Sequence, residues 1–140
     1  MSEKKDFQLF KKAVMLTGLE RIERIENILA PGTPDVNFCI DGVDGWLEIK
    51  SAKEPAKLTS KLLKHKLSQA QMNWFKRESN AGGRSYILIC TDIKWILIDG
   101  RDADNINRMS GDELYDISIW VQYYPILPCH RLKRVLKGGK

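Results

Sequence analysis

Cysteine is scarce in this chain, and histidine is scarcer. The three cysteines, Cys39, Cys90 and Cys129, are an odd set, far apart and without a Cys-x-x-Cys pair. That excludes a disulfide framework and a thiolate zinc site, and it points to a reducing, intracellular compartment. The two histidines, His65 and His130, have no partners at metal-ligand spacing. No apolar run approaches the roughly 20 residues that would span a bilayer. The opening MSEKKDFQLFKK is too charged for a signal peptide. There is no Gly-x-Ser-x-Gly elbow and no phosphate-binding P-loop. Asp102, Asp104 and Glu113 echo a calcium loop, but Ile106 and Asn107 stand where a ligand and a glycine belong. Trp46, Trp74, Trp95 and Trp120 are scattered, not gathered into a base-stacking platform.

What is present fits one domain. The 140 residues are enough to bury a single core, and neither an internal repeat nor a linker divides them. The formal net charge of +5 favours a polyanionic partner.

Along the chain, Phe7, Phe10 and Val14 recur at spacings of three and four, which predicts a helix over 6–20 weakened at Gly18. Residues 21–29 alternate as a strand. Ala30-Pro31-Gly32-Thr33-Pro34 is a turn. Asp35–Ile40 and Trp46–Lys50 read as two strands of a hairpin, with Asp41-Gly42-Val43-Asp44-Gly45 as a loop longer than the two-residue ideal. Lys57–Leu63 is a possible short helix in a lysine-rich connection. Ser68 caps a helix running to about Ser79, closed by Ala81-Gly82-Gly83. Ser85–Thr91 and Trp95–Ile98 are buried strands. A turn or two of helix at Ser110–Leu114 and a last strand within Ile117–Tyr123 follow. From Cys129 the chain reads as a basic tail, 129–140. The order helix, three strands, helix, two strands defines an α/β layer fold with a central mixed sheet flanked by helices.

The chemistry lies in residues 31–53. Side chains alternate along a strand, so Glu48 and Lys50 emerge on one face while Leu47 and Ile49 face the other. A Glu-x-Lys pair alone is commonplace on a solvated hairpin. Gly32-Thr33-Pro34-Asp35, thirteen residues before Glu48 with a hairpin between, sets this one apart, because the hairpin brings Asp35 beside the pair. Two carboxylates and one ammonium then converge. That grouping suits phosphodiester hydrolysis with a hard divalent cation such as Mg²⁺. Asp35, Glu48 and the backbone carbonyl of Ile49 would supply part of an oxygen shell, and water and a phosphate oxygen would supply the rest.

These pieces resemble the PD-(D/E)XK nuclease superfamily and, more narrowly, its VRR-NUC group, common in phages. The matching segments are Arg24-Ile25-Glu26-Asn27, Gly32-Thr33-Pro34-Asp35, Gly45-Trp46-Leu47-Glu48-Ile49-Lys50, Leu67-Ser68-Gln69-Ala70-Gln71 with Trp74, and Gly82-Gly83. They arrive in the family's order over a little more than half the chain. The resemblance implies a restriction-endonuclease-like fold with an αβββαβ core, Mg²⁺ or Mn²⁺, DNA as substrate, Asp35, Glu48 and Lys50 as the catalytic core, and Gln71 as a further site residue. Many relatives carry a glutamate on the first helix. The helix expected here has none, so Glu26 is the nearest candidate for an additional metal ligand, with Glu20 and Glu23 as alternatives. Lys53, Lys57, Lys61 and Lys64, with Arg131, Lys133 and Arg134 of the tail, are the expected phosphate contacts. The expected activity is structure-selective cleavage of branched DNA such as Holliday junctions, by a homodimer joined through 117–128. A non-cutting module that binds DNA or a replication protein, and a restriction-like nuclease on linear duplex, are the alternatives.

Overall fold

A computed structural model describes residues 3–26, 30–63 and 66–138. The elements are α1 (Glu3–Val14), β1 (Arg21–Arg24), β2 (Val36–Ile40), β3 (Val43–Ser51), α2 (Gln69–Asn80), β4 (Ser85–Cys90), β5 (Lys94–Asp99), α3 (Gly111–Ile117), β6 (Trp120–Tyr123) and α4 (Cys129–Leu136), with two short 3₁₀ turns between β5 and α3. One six-stranded sheet runs in the order β1-β2-β3-β4-β5-β6. The β3–β4 pair is parallel and every other pair is antiparallel, so the sheet is mixed, as expected.

Two apolar layers cover the two faces. Leu47 and Ile49 of β3 join Phe7, Phe10 and Val14 of α1 and Leu132 and Leu136 of α4 on one face. Ile87 and Ile89 of β4 and Ile96 and Ile98 of β5 join Phe75 of α2 and Leu114 of α3 on the other. Side chains of β4 and β5 alternate between the two helical layers and are buried on both faces, which explains their near-continuous apolar sequence.

The hairpin between β2 and β3 is tighter than its sequence suggests. Ile40 pairs with Val43, leaving Asp41-Gly42 as a two-residue turn with φ of 51° and 81°. Positive φ at both central residues matches the twist of the flanking strands. Gly45 is strand, not loop: a Cβ there would lie 2.3 Å from the Phe38 ring, so glycine makes room for the core aromatic opposite.

Other expectations shift. α1 begins at Glu3, its first turn acidic and its last turn basic, in the sense that suits the helix dipole. β1 is only four residues long, and the rest of its expected span includes 27–29, outside the described residues. Lys57–Leu63 forms turns and one bridge, Lys61 to Ser110, not a helix. The basic tail is a helix: Leu132 and Leu136 are fully buried, and Tyr86 Oη donates to the Leu136 carbonyl at 3.2 Å. None of the described helices is long and apolar enough to cross a membrane.

Candidate active site

The site is built where β2 begins and β3 ends. The hairpin register pairs Val36 with Leu47, which sets Asp35, one residue before β2, opposite Glu48. Asp35 takes over where strand pairing stops. Its N–H donates to Glu48 Oε1 at 3.2 Å, and its Oδ1 accepts the Ile49 N–H at 3.1 Å. The N–H and C=O of one strand residue point to the same side, so the Ile49 carbonyl faces the same gap. Lys50 Nζ lies 3.6 Å from Glu48 Oε2, with both side chains nearly buried.

Gln71 enters from α2. Ser68 Oγ accepts the Gln71 N–H at 3.1 Å, and Gln71 Oε1 accepts the Ser68 N–H at 2.9 Å. That reciprocal pair is a capping box. The remaining amide nitrogen, Nε2, donates to Glu48 Oε2 at 3.1 Å. Two further residues hold α2 in place. Gly32, at φ 87°, sits so close to the helix start that a Cβ would lie 2.3 Å from the Ala70 carbonyl oxygen. Asn107 grips Leu67, accepting its N–H at 2.8 Å and donating to its carbonyl at 2.9 Å. The part-match to a calcium loop thus hides a structural asparagine, legible only once Leu67 and Asn107 are adjacent.

Electrostatics follow from this packing. Burial pushes the Asp35 carboxyl up to about 6; the Ile49 N–H and Arg24 oppose the shift, and the charge of Glu3 adds to it. Burial, then the charge of Asp35, pushes Glu48 up to about 7 against the pull of Lys50. Glu3 bears on both carboxyls. It is the acidic residue of α1 that the sequence reading missed, because it lies before the apolar periodicity starts. Of the expected candidates, Glu20 and Glu23 are engaged elsewhere. Glu26 is exposed just past the end of β1, one residue beyond Ile25, whose N–H donates to the Asp35 carbonyl at 2.7 Å. Glu23 lies 3.6 Å from Arg21. Glu20 is buried against Lys133 at 2.5 Å, which holds its carboxyl down at about 2.

That last pair also corrects the reading of the tail. Lys133 is buried and its ammonium is committed to Glu20, so it is not a free phosphate contact. Arg131 and Arg134 are exposed, but α4 packs on the α1 face of the sheet, opposite the face that carries Glu48 and Lys50. Lys53, Lys57 and Lys61 are exposed on the connection that leaves the site strand. Lys64 lies outside the described residues.

A hard divalent cation such as Mg²⁺ is typically held by one or two carboxylates with waters and substrate phosphate. Asp35, Glu48 and the Ile49 carbonyl fit that pattern. Among the described residues no three His, Cys, Asp or Glu side chains form a metal-holding group, so a cation here would depend on backbone and water oxygens for the rest of its shell.

The fold is the restriction-endonuclease-like α/β fold. The chain is structurally similar to the Holliday junction resolvase Hjc of the archaeal hyperthermophile Archaeoglobus fulgidus, with a TM-score of 0.54 over 82% of this chain and 90% of that one, at 15% identity. No family model matches the sequence, and no curated protein matches it significantly by sequence. At that identity the likeness establishes the fold alone.

Proposed function

We propose that this chain is a divalent-metal-dependent endonuclease that cuts branched DNA. One observation carries the reading: Asp35, Glu48, Lys50 and Gln71, drawn from a turn, a strand and a helix, converge on one partly buried spot. Two carboxyls placed side by side with only one near ammonium disfavour each other's ionised form, and a bound divalent cation reverses that. Asp35, Glu48 and the Ile49 carbonyl would hold Mg²⁺ or Mn²⁺. The cation would polarise the phosphate and lower the pKa of an attacking water.

The protein's own groups do the rest. Gln71 fixes the orientation of Glu48. Lys50, anchored beside Glu48, stabilises charge on the phosphate or orients the water. Lys53, Lys57 and Lys61 hold flanking phosphates without reading sequence. The order of Arg24-Ile25-Glu26-Asn27, Gly32-Thr33-Pro34-Asp35 and Glu48-Ile49-Lys50 favours a VRR-NUC-like enzyme within the superfamily, and the likeness to a junction resolvase favours a branched substrate.

A junction needs two cuts related by near two-fold symmetry, which a symmetric dimer supplies. The edge strand β6 and its flanks leave Ile119, Val121, Tyr123 and Ile126 exposed, the apolar and aromatic material an interface centre uses.

Labelled four-way junction, flap and linear duplex, each incubated with Mg²⁺, Mn²⁺ or EDTA, test the proposal. The expected result is metal-dependent cleavage of the junction ahead of the duplex. Tight DNA binding with no cleavage in any metal would replace it with a binding module, and equal cutting of the linear duplex would replace the branched substrate.

A further inference from the structure

Asp6 is a fully buried carboxylate, 0% exposed, in the middle of an apolar layer. Its neighbours in sequence and along the helix, Phe7 and Phe10, pack the sheet. A carboxylate in such a place costs stability unless it is hydrogen-bonded, and a hydrophobic side chain would fill the space without that cost. Two hydroxyls meet it. Ser51 Oγ donates to Asp6 Oδ2 at 2.7 Å, and Tyr124 Oη donates to Asp6 Oδ1 at 3.2 Å. The Tyr124 hydroxyl is pushed up to about 12, by burial and then by Asp6, so it stays a donor.

The three residues come from three places. Asp6 is on the first half of α1. Ser51 directly follows Lys50 and ends β3. Tyr124 directly follows β6. Glu3 lies three residues before Asp6, on the same side of α1, and its charge reaches Asp35 and Glu48.

We propose that Asp6 is a positioning residue of the site: its carboxylate ties the first turn of α1, which carries Glu3, to the strand end that carries Lys50. The proposal rests on the reading of that site as metal-dependent. Asp6 touches neither substrate nor metal. It sets how closely the Glu3 charge approaches the carboxyl pair and how firmly the backbone at Lys50–Ser51 is held.

The test is Mn²⁺ binding by titration calorimetry, with exchange of the amides of residues 7–10, which bond the carbonyls of the first turn, in the 140-residue wild type, Asp6→Asn, Ser51→Ala, Tyr124→Phe and Val14→Ala. Tyr124→Phe removes one hydroxyl and keeps the ring, so it carries the test if Asp6→Asn fails to fold. Val14→Ala loosens the same helix at its other end and controls for lost packing. The expected result is Mn²⁺ affinity weakened about ten-fold in the brace variants, the scale for groups that support metal ligands indirectly. Faster exchange at the first turn of α1 should accompany it, and Val14→Ala should keep wild-type affinity. Unchanged affinity in a folded brace variant overturns the proposal, as does equal weakening by Val14→Ala. Wild type that neither binds Mn²⁺ nor cleaves DNA removes the metal-dependent reading itself, and this proposal with it; wild type that binds while the brace variants bind equally well removes this proposal alone.

Discussion

The side-chain amide of Gln71 is divided between its helix and the site: Oε1 accepts the Ser68 N–H at 2.9 Å while Nε2 donates to Glu48 Oε2 at 3.1 Å. Capping and positioning are therefore separable by mutation. Gln71→Glu keeps an acceptor suited to the third position of a capping box but replaces the donor facing Glu48 with a third carboxylate. Helix stability should hold, and single-turnover cleavage should fall by about 10²-fold. A Gln71→Glu enzyme that cuts at the wild-type rate would remove Gln71 from the site.

The raised carboxyls predict an uncommon stability profile. A carboxyl whose folded pKa lies above its unfolded value contributes stability that is complete below about 4 and lost as pH rises through about 6 for Asp35 and about 7 for Glu48. The metal-free site therefore weakens the fold more at pH 8 than at pH 5. Asp35→Asn keeps the oxygen that accepts the Ile49 N–H and removes the charge. It should stabilise the metal-free protein at pH 8 by on the order of 3 kcal/mol, by roughly half of that at pH 5, and hardly at all below about pH 4. Thermal melts at the two pH values in EDTA check this, and a lower melting temperature for the variant at pH 8 would contradict it. Cleavage by Asp35→Asn should be lost.

Lys50→Ala should lower single-turnover cleavage by about 10²-fold or more, the scale for losing a group that acts on a proton or on developing charge. Lys50→Arg should not restore it, because a planar fork does not replace a compact ammonium beside Glu48. DNA affinity measured in EDTA should change little in either variant. A full rate in Lys50→Ala would make the residue a structural partner of Glu48.

The placement of the basic residues predicts an uneven salt dependence. Replacing Lys53, Lys57 and Lys61 together by alanine should flatten the slope of log affinity against log salt by roughly 2–3, since each phosphate contact contributes about 0.9. Replacing Arg131 and Arg134 should leave it almost unaltered. Truncating α4 is the wrong experiment, because it strips Leu132 and Leu136 from the core and leaves Glu20 without its partner. The reverse outcome would place DNA across the α1–α4 face.

If β6 joins two copies, light scattering at micromolar concentration should give twice the 16.1 kDa chain mass. Val121→Glu with Tyr123→Glu should return the protein to one chain mass and abolish paired symmetric nicks in a four-way junction. A wild-type monomer that makes single cuts would end the dimer proposal and leave the nuclease reading intact.

Local sequence determined a good part of this. The turn Gly32-Thr33-Pro34-Asp35, the alternation through Glu48 and Lys50, and the Ser68 cap are short-range features, set by strand pleat, turn chemistry and helix-end hydrogen bonding. They were legible because the residues that enforce them are neighbours in the chain. Helix α4 was also legible in principle, since Leu132 and Leu136 recur at helical spacing, but its five cations within 131–140 masked the pattern.

Tertiary structure decided the rest. Gly45 looks like a loop residue until the Phe38 ring lies across it. Lys133 looks like a DNA contact until Glu20, 113 residues away, lies against it. Glu3 precedes any apolar repeat, and only the packing of α1 on β3 brings its charge to the site. Asp6 is one acidic residue among several until Ser51 and Tyr124 close around it. All but Gly45, whose partner lies across the hairpin, depend on partners distant in sequence, and burial, which turns such a partner from optional to obligatory, exists only once the chain has folded.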